Sequence, residues 1–377
     1  MILTNANIFT RENTFKLGSV YVRDGKIEKL QFDSSDINED EQIIDCGENY
    51  LVPGFIDIHF HGCAGHDFCE ATTEALDCIS KYQIAHGITS ICPATMTYPK
   101  EILMPVMDMA KNYKNENGAQ IVGVNMEGPF ISTEKIGAQN PKYVQKPNYE
   151  MLQELQATSG GLIKLVDIAP EVDGAIEFID KTANDFVISV AHTNADYAQT
   201  KLAYEHGTKH LTHTFNAMPS IHHRAPGPIL AAAEAGANAE IICDGLHVDY
   251  AAVRLAFELF CGHICLISDS CEATGLDDGQ YSLGGQNIIK TGNKVVLEKD
   301  PTTIAASATN LYDCFKHAVL DAKIPLETAI AAATINPARA IAIDSLYGSI
   351  EPGKYADMLL INNNLEIVDI YKFGNKV

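Results

Sequence analysis

The sequence predicts an α/β fold: a (β/α)8 barrel of the TIM type with a small β-sandwich domain formed by both chain ends. Eight short β-branched runs recur between residues 55 and 270, separated by helix-like stretches. Eight alternating units favour a closed barrel over an open sheet. The first run ends in His-Phe-His-Gly, where a doubly wound sheet would usually carry a Gly-rich phosphate loop.

The predicted barrel strands are short apolar segments of similar composition. In chain order they read FIDIHFHG, ITSICPAT, IVGVNMEG, IKLVDIAPE, FVISVAHT, KHLTHTF, AEIICDG and HICLISDS. The helices between them include TEALDCISKYQIAHG, YAQTKLAYEHG and AAVRLAFELFCG, in which a final glycine suits a helix C-cap. We therefore assign residues 53–345 to a barrel catalytic domain.

The two ends of the chain carry a different, β-rich pattern. SVYVRDGKIEKL near the start contains the hairpin signal Asp24-Gly25, and YGSIEPGKYADMLLI near the end contains a turn at Pro352-Gly353. The economical interpretation pairs residues 1–52 with residues 346–377 in one small β-sandwich, into which the barrel is inserted. The alternative is that the ends are two unrelated flanking arms.

Composition restricts the class of protein. Of 377 residues, 49 are acidic and 27 basic, which gives a net charge of −22 without a Lys/Arg cluster, so nucleic-acid or membrane binding is not expected. The ten cysteines form no CxxC pair, which argues against a zinc ribbon and suits reduced thiols. Without a signal-peptide pattern or a long apolar run, we expect a soluble cytoplasmic protein.

Side chains that can bind metal or transfer protons lie at the carboxyl ends of most predicted strands, where a barrel of this kind builds its active site. They are His59, His61, Glu127, His192, His213, Asp244, His247 and Asp269. One such residue alone is commonly a helix cap or a solvated group. Together around one rim, these histidines and carboxylates instead favour a metal centre for Zn²⁺, Fe²⁺, Co²⁺ or Mn²⁺.

The His59 and His61 pair is ambiguous when taken alone. Residues i and i+2 of a strand share one face, so both imidazoles point the same way. They suit two metal ligands from one strand, or a polar strand end that meets solvent. The other histidines, His210 among them, fall mostly on helices or loops and are interpreted as structural or solvated, with His222 the least certain.

Seven segments together resemble the amidohydrolase superfamily: PGFIDIHFHG, MEGPF, AHTNA, THTFNAMP, DGLHVD, ISDS and TINPARA. Within it, MEGPF, THTFNAMP and DGLHVD in combination resemble the family of deacetylases that act on N-acetylglucosamine 6-phosphate. The resemblance implies hydrolysis of the N-acetyl amide to glucosamine 6-phosphate and acetate, in amino-sugar catabolism or recycling. It covers most of the chain, including GSIEPGKYADMLLI near the end.

Two other functions remain open at this stage. One is a cyclic amidase of the dihydroorotase or hydantoinase type, which commonly bridges two metals with a carboxylated lysine. No lysine lies at the tip of the fourth predicted strand, where the segment reads KLVDIAPE. The other is a non-catalytic barrel scaffold, which would be expected to lack some of the ligands at the rim.

The resemblance also implies a role for each metal-site residue. Glu127, His192 and His213 match the metal-binding positions of the family, and the His59 and His61 pair matches members that hold a second ion bridged by the glutamate. One or two divalent ions per chain are therefore expected. Asp269 matches the catalytic aspartate, which is also a metal ligand. It would act as general base and acid while hydroxide generated on the metal attacks the acetyl carbonyl.

The sugar phosphate would be held by Gln139, Asn216, Ala217, Arg224 and His247, as the resemblance implies. In the family the arginine reaches across from a neighbouring subunit, which implies a homodimer with Arg224 in the adjacent active site. From its loop HHRAPGP alone, Arg224 is either an anion clamp or a solvated charge. Gln139 departs from the family, since some members carry there a histidine that polarises the carbonyl. Ala306 stands where glycine is expected.

Overall fold

Eight parallel strands, each followed by a helix, form a barrel in the computed structural model, which describes residues 1–32, 41–115 and 117–377. The barrel strands are Phe55–Asp57, Ile88–Ile91, Val124–Phe130, Ile163–Ile168, Val187–Val190, His210–Leu211, Asn238–Ile242 and Ile264–Ile267. The helices are α1 Thr73–Ala85, α2 Lys100–Asn112, α3 Tyr149–Thr158, α4 Ala175–Thr182, α5 Tyr197–Glu205, α6 Gly227–Glu234, α7 Tyr250–Leu259, α8 Leu311–Leu320, α9 Leu326–Ala333 and α10 Ile335–Ala340. Short extra elements are the strands Gly62–Cys63, His66–Asp67 and Gln120–Ile121 and the 3₁₀ turns Phe68–Glu70, Thr133–Lys135 and Pro141–Tyr143.

Backbone contacts close the ring of strands at two seams. Strands three to eight are paired in order in one sheet, and strands one and two, with Gln120–Ile121, in another. A parallel bridge between Ala94 and Asn125 joins strand two to strand three. At the other seam the Asp269 amide donates to the His59 carbonyl at 2.9 Å, and the His61 amide to the Ser270 carbonyl at 2.7 Å. The predicted eight-unit barrel is therefore confirmed.

The barrel strands are apolar on both faces, because helices cover a parallel sheet from outside. Alternation divides neighbouring residues between two clusters. Val166 and Leu266 belong to the large cluster between strands and helices, whereas Leu165 and Cys265 belong to a separate smaller one. Both sets are fully buried, so a strand of this kind reads as a continuous apolar run in the sequence.

Both ends of the chain pair in one sheet. The amino-terminal strands are Ile2–Phe9, Phe15–Arg23, Lys26–Gln31, Ile43–Asp45 and Tyr50–Pro53, and the carboxyl-terminal strands are Met358–Ile361, Ile367–Lys372 and Asn375–Lys376. The two sets join where Tyr50–Pro53 runs antiparallel to Met358–Ile361. One face of this sheet covers an apolar cluster of its own, and the other contributes Leu359 and Ile361 to the core of the barrel.

The hairpin predicted at Asp24-Gly25 is confirmed. The two residues connect a paired Arg23 and Lys26, and both have positive φ angles, 49° and 75°, as a two-residue turn of this class requires. The division of the chain into residues 1–52 plus 346–377 and residues 53–345 remains a prediction.

A four-stranded antiparallel sheet, which the sequence analysis did not predict, follows the eighth barrel strand. Its strands are Gly279–Leu283, Gln286–Thr291, Lys294–Leu297 and Asp300–Ser307, and we call it the insert. Its first two turns are Gly284-Gly285 and Gly292-Asn293. Gly-Gly and Gly-Asn dipeptides between two strand-like runs are strong hairpin signals. Among the described residues, no helix has the length and hydropathy needed to cross a membrane.

Candidate metal centre

Six of the predicted residues converge at the mouth of the barrel in two groups of three. One group is His59, His61 and Asp269, and the other is Glu127, His192 and His213. Within each group the candidate ligand atoms lie within 4.8 Å of one another, and all six side chains are buried. The strand ends therefore bring together side chains that are up to 210 residues apart in the sequence, from Asp269 back to His59.

The second group has the spacing of a metal site. His192 Nε2 lies 3.0 Å from Glu127 Oε1, His213 Nε2 lies 3.2 Å from the same oxygen, and the two nitrogens are 3.1 Å apart. With bonds of roughly 2.1 Å, ligands of one ion are separated by about 3.0–3.4 Å. His192 Nδ1 is 2.9 Å from the Lys135 carbonyl, which can only accept, so Nε2 presents its lone pair to the site.

The first group meets the second at Glu127. His61 Nε2 lies 3.4 Å from Asp269 Oδ1 and 3.3 Å from Glu127 Oε2, and His59 Nε2 lies 3.5 Å from Glu127 Oε1. The Glu127 carboxylate thus lies between the two groups and contacts histidines of both.

One further observation indicates that these residues can bind a divalent ion. His59 Nε2 is fully buried and has no hydrogen-bond partner among the described residues, which is costly for a polar atom unless something else is bound to it. The other ring nitrogen of His59, Nδ1, donates to the Glu240 carboxylate. Nε2 is therefore an acceptor that faces Asp269 and Glu127. An imidazole, carboxylate and imidazole set without thiolate suits Zn²⁺, Fe²⁺, Co²⁺ or Mn²⁺.

Unusual backbone angles direct three of these side chains into the mouth. His192, His213 and Asp269 have φ angles of 41°, 27° and 49°, in the left-handed region that residues other than glycine rarely adopt. Such conformations cost of order 1–3 kcal/mol each and cluster at functional sites. Gly137 packs over the ring of His192 with a φ of 55°, where a Cβ would come within 3.2 Å of Cε1. The strand ends are therefore shaped for the ligands.

A cavity of about 290 Å³ opens above the two groups. Nine of the eleven predicted site residues line it: His61, Glu127, Gln139, His192, His213, Asn216, Ala217, His247 and Asp269. His59 lies beneath them, fully buried. Arg224 is not among the lining residues, since it lies exposed in the loop after the sixth strand, beside the equally exposed His222.

Gln139 is tied to the candidate metal centre. Its side-chain oxygen accepts from the Thr97 amide at 2.7 Å, and its side-chain nitrogen donates to Glu127 Oε2. Gln139, at the position where some relatives are expected to carry histidine, thus orients the Glu127 carboxylate in this chain. Asn216 is held in a similar way, with its side-chain nitrogen 3.2 Å from the His213 carbonyl.

His247 is oriented so that one of its ring nitrogens can bind an anion. Its Nδ1 donates to Asp244 Oδ2 at 2.7 Å, which leaves Nε2 free for a ligand. Burial lowers the pKa of His247, but the hydrogen bond and charge of Asp244 outweigh it and raise the pKa above its ordinary value. Asp244, a predicted strand-end residue, therefore acts on the pocket through His247 rather than by facing an ion.

Several lining residues were missed by the sequence analysis. The insert contributes Leu283 and Thr302 to Ala305, and Met96, which belongs to the same apolar cluster as Leu283, also lines the pocket. The turn signals Gly284-Gly285 and Gly292-Asn293 could have indicated the insert in the sequence. Glu240 was also missed, although a lone carboxylate within the apolar run AEIICDG is a signal of a buried, paired charge.

Comparison with known proteins agrees with the fold. The model of the amidohydrolase family matches residues 50–377, and the chain belongs to this family. N-acetylglucosamine-6-phosphate deacetylase from Bacillus subtilis is 32% identical over 383 residues, covering 100% of this chain and 96% of that protein. The human protein of the same name is 31% identical over 374 residues, covering 95% and 91%.

Solved structures of similar proteins superpose along the whole chain. N-acetylglucosamine-6-phosphate deacetylase from Pasteurella multocida has a TM-score of 0.93 at 28% identity, covering 100% of this chain and 99% of that one. A point mutant of the Mycobacterium smegmatis deacetylase, in complex with N-acetyl-D-glucosamine-6-phosphate, has a TM-score of 0.93 at 29% identity, covering 100% and 98%.

Proposed function

We propose that the chain hydrolyses the N-acetyl amide of N-acetylglucosamine 6-phosphate to glucosamine 6-phosphate and acetate. The observation that carries the proposal is the pair of histidine–carboxylate groups joined by Glu127 beneath one pocket, with Asp269 at its wall. Full-length relatives carry the name of this deacetylase, and one structural neighbour was solved in complex with N-acetyl-D-glucosamine-6-phosphate. The reaction belongs to amino-sugar catabolism or recycling.

The proposed centre holds one or two divalent ions per chain. Glu127, His192 and His213 hold one, and His59, His61 and Asp269 hold a second with Glu127 between them. When bound, a divalent ion supplies a water whose pKa is near 7 and polarises a carbonyl oxygen. The walls of the pocket include the apolar side chains of Met96 and Leu283, which lower the local dielectric constant around the charged groups.

Asp269 moves the proton in the proposed reaction. Its carboxylate lines the pocket beside His61, where it can take a proton from the attacking water and then give it to the departing amine nitrogen. Breaking the C–N bond without that second transfer would expel an amide anion, which is a very poor leaving group. A positioned acid–base group of this kind contributes about 10²- to 10⁴-fold to the rate.

The phosphate end of the substrate is assigned to the part of the pocket that His247 and Asn216 line. His247, with its raised pKa, offers its free Nε2 as a donor there. Arg224 is exposed in the single chain, so we propose that it completes the phosphate site of a neighbouring subunit in a homodimer.

The ten cysteines, none of them in a disulfide, support a cytoplasmic location.

Changing Arg224→Ala is expected to raise KM for the phosphorylated sugar about 10- to 100-fold with little change in kcat, because a charge-assisted hydrogen bond contributes about 1.5–3 kcal/mol. Arg339→Ala removes the same charge from a cavity away from the pocket and serves as the matched control. An unchanged KM for the sugar phosphate would place the phosphate clamp elsewhere.

Action across subunits can be tested by pairing two impaired chains, one with a raised KM and one with a lowered kcat. Co-expression of Arg224→Ala with Asp269→Asn under two affinity tags gives mixed dimers, in which one site combines an intact Asp269 with the partner subunit's intact arginine. The proposal predicts that the purified mixed dimer regains the wild-type KM at about half the wild-type kcat. A mixed dimer that keeps the high KM would show that Arg224 acts within its own chain or not at all.

Replacing His59→Gln together with His61→Asn is expected to lower the metal content by about one ion per chain while the barrel remains folded. The remaining group of Glu127, His192 and His213 is complete without the pair. Elemental analysis of the purified protein, with circular dichroism as the check on folding, measures the effect. An unchanged ion count in a folded double variant would contradict the assignment of the pair as ligands.

A further inference from the structure

Glu240 lies on the seventh barrel strand directly behind the candidate metal centre. It is fully buried, and the pocket does not reach it. Oε2 accepts from His59 Nδ1 at 2.9 Å and from the His213 amide at 3.1 Å, and Oε1 accepts from His210 Nε2 at 3.1 Å. A buried carboxylate is costly unless it is fully hydrogen-bonded, and these three donors meet that need.

The contact with Glu240 determines which nitrogen of His59 can bind an ion. A neutral imidazole has one N–H and one lone pair, and a carboxylate can only accept. Nδ1 therefore carries the proton, and Nε2 turns its lone pair toward Glu127 and Asp269, where it has no other partner among the described residues. A carboxylate behind a metal-binding histidine also raises the basicity of the ligand.

This support is unequal between the two groups of candidate ligands. His192 donates through Nδ1 to a neutral backbone carbonyl, that of Lys135. In the part of the chain that the structure describes, the Nδ1 atoms of His61 and His213 have no hydrogen-bond partner, so His59 is the one of the four histidines whose Nδ1 donates to a carboxylate. The group of His59, His61 and Asp269 therefore depends on the seventh strand in a way that the other group does not.

We propose that Glu240 is a positioning residue that sets the affinity of the His59, His61 and Asp269 site for its ion. Glu240 does not touch substrate, and it acts through the orientation and basicity of one imidazole. The inference rests on the proposed two-ion centre and is independent of which amide is hydrolysed.

The test compares Glu240→Gln with the matched control Asp167→Asn. The glutamine side chain introduced by Glu240→Gln keeps an oxygen that can accept from the His213 amide, but the negative charge behind His59 is lost. Asp167 is an equally buried barrel carboxylate that accepts from Thr212 Oγ1 at 2.8 Å and is not one of the candidate ligands. Zinc affinity is measured by competition with a chromophoric chelator, and the ion count by elemental analysis.

The expected result is two ions in the wild type and in Asp167→Asn, with unchanged affinities. Glu240→Gln should hold one ion at wild-type affinity and bind the second about 10- to 100-fold more weakly, the usual effect of removing such a partner. Wild-type affinity at both sites of Glu240→Gln would overturn the inference. Equal weakening at both sites would overturn it too, because general damage rather than positioning would then explain the loss.

Two further readouts keep the proposal testable. A wild-type chain that holds only one ion would overturn the two-ion centre and this inference together, while leaving acetate release to be judged separately. If Glu240→Gln does not fold, the zinc-loaded wild type can be compared with His59→Gln by NMR of the imidazole N–H groups. The inference predicts a slowly exchanging Nδ1–H signal that His59→Gln lacks, and absence of that signal from the wild type would contradict it.

Discussion

Asp269→Asn is expected to lower kcat about 10²- to 10⁴-fold while the metal content stays close to that of the wild type. Asparagine has the same shape and keeps an oxygen that can ligate, but it cannot accept and return a proton. The buried position beside His61 limits the access of solvent water that could take over the transfer. Steady-state acetate release and elemental analysis of the same preparation measure the two effects.

Asp167→Asn is the control for this change, because it makes the same carboxyl-to-amide exchange at another buried barrel residue that does not line the pocket. It should keep kcat within a few-fold of the wild type. If Asp269→Asn kept wild-type turnover, Asp269 would not be the acid–base group. If its turnover and metal content fell together, Asp269 would act chiefly as a ligand.

His192→Ala is expected to produce the other large loss, about 10³-fold or more in kcat, together with the loss of about one ion per chain. Its Nε2 is one of only two imidazole nitrogens in the second group, and Glu127 Oε1 is the remaining ligand there. Several kcal/mol of transition-state stabilisation are attributed to a catalytic ion, and each 1.4 kcal/mol is about tenfold in rate.

The matched control for His192→Ala is His206→Ala. His206 follows α5 and pairs with Asp180 far from the pocket, so its loss should change neither the ion count nor kcat. A folded His192→Ala protein with wild-type activity and a full set of ions would show that the second group is not the catalytic metal site.

The barrel could be predicted because its strands are apolar on both faces and are separated by helices with glycine ends. Phe55–Asp57 and Ile264–Ile267 stand out in the sequence for that reason. The insert breaks the alternation of strand and helix. Its strands, such as Gly279–Leu283, are partly exposed and polar, so they lack the apolar signal on which the barrel prediction relied.

The candidate ligands could be predicted because parallel strands end at the same side of a barrel, so local strand ends become neighbours in space. The role of Glu240 could not be predicted from the sequence, since its partner His59 lies 181 residues away and the local pattern does not indicate that partner. In the proposed homodimer, the position of Arg224 relative to an active site would likewise depend on a second subunit, which a single chain does not contain.

The competing functions differ from the proposal in the site that they require. A scaffold barrel would be expected to lack some ligands, yet both groups of three are complete. A cyclic amidase of the lysine-bridged kind needs a lysine at the fourth strand, and no lysine lines the pocket in the described part of the chain. Glu127 occupies the bridging position instead.

Acetate release from N-acetylglucosamine 6-phosphate by the purified chain, before and after treatment with a chelator, tests the proposed metal-dependent hydrolysis directly. We expect stoichiometric acetate and glucosamine 6-phosphate from the untreated protein, loss of activity when the ions are removed, and recovery when Zn²⁺, Fe²⁺, Co²⁺ or Mn²⁺ is restored. Full activity in protein shown to contain no metal, or no acetate from protein that carries its ions, would contradict the proposed function.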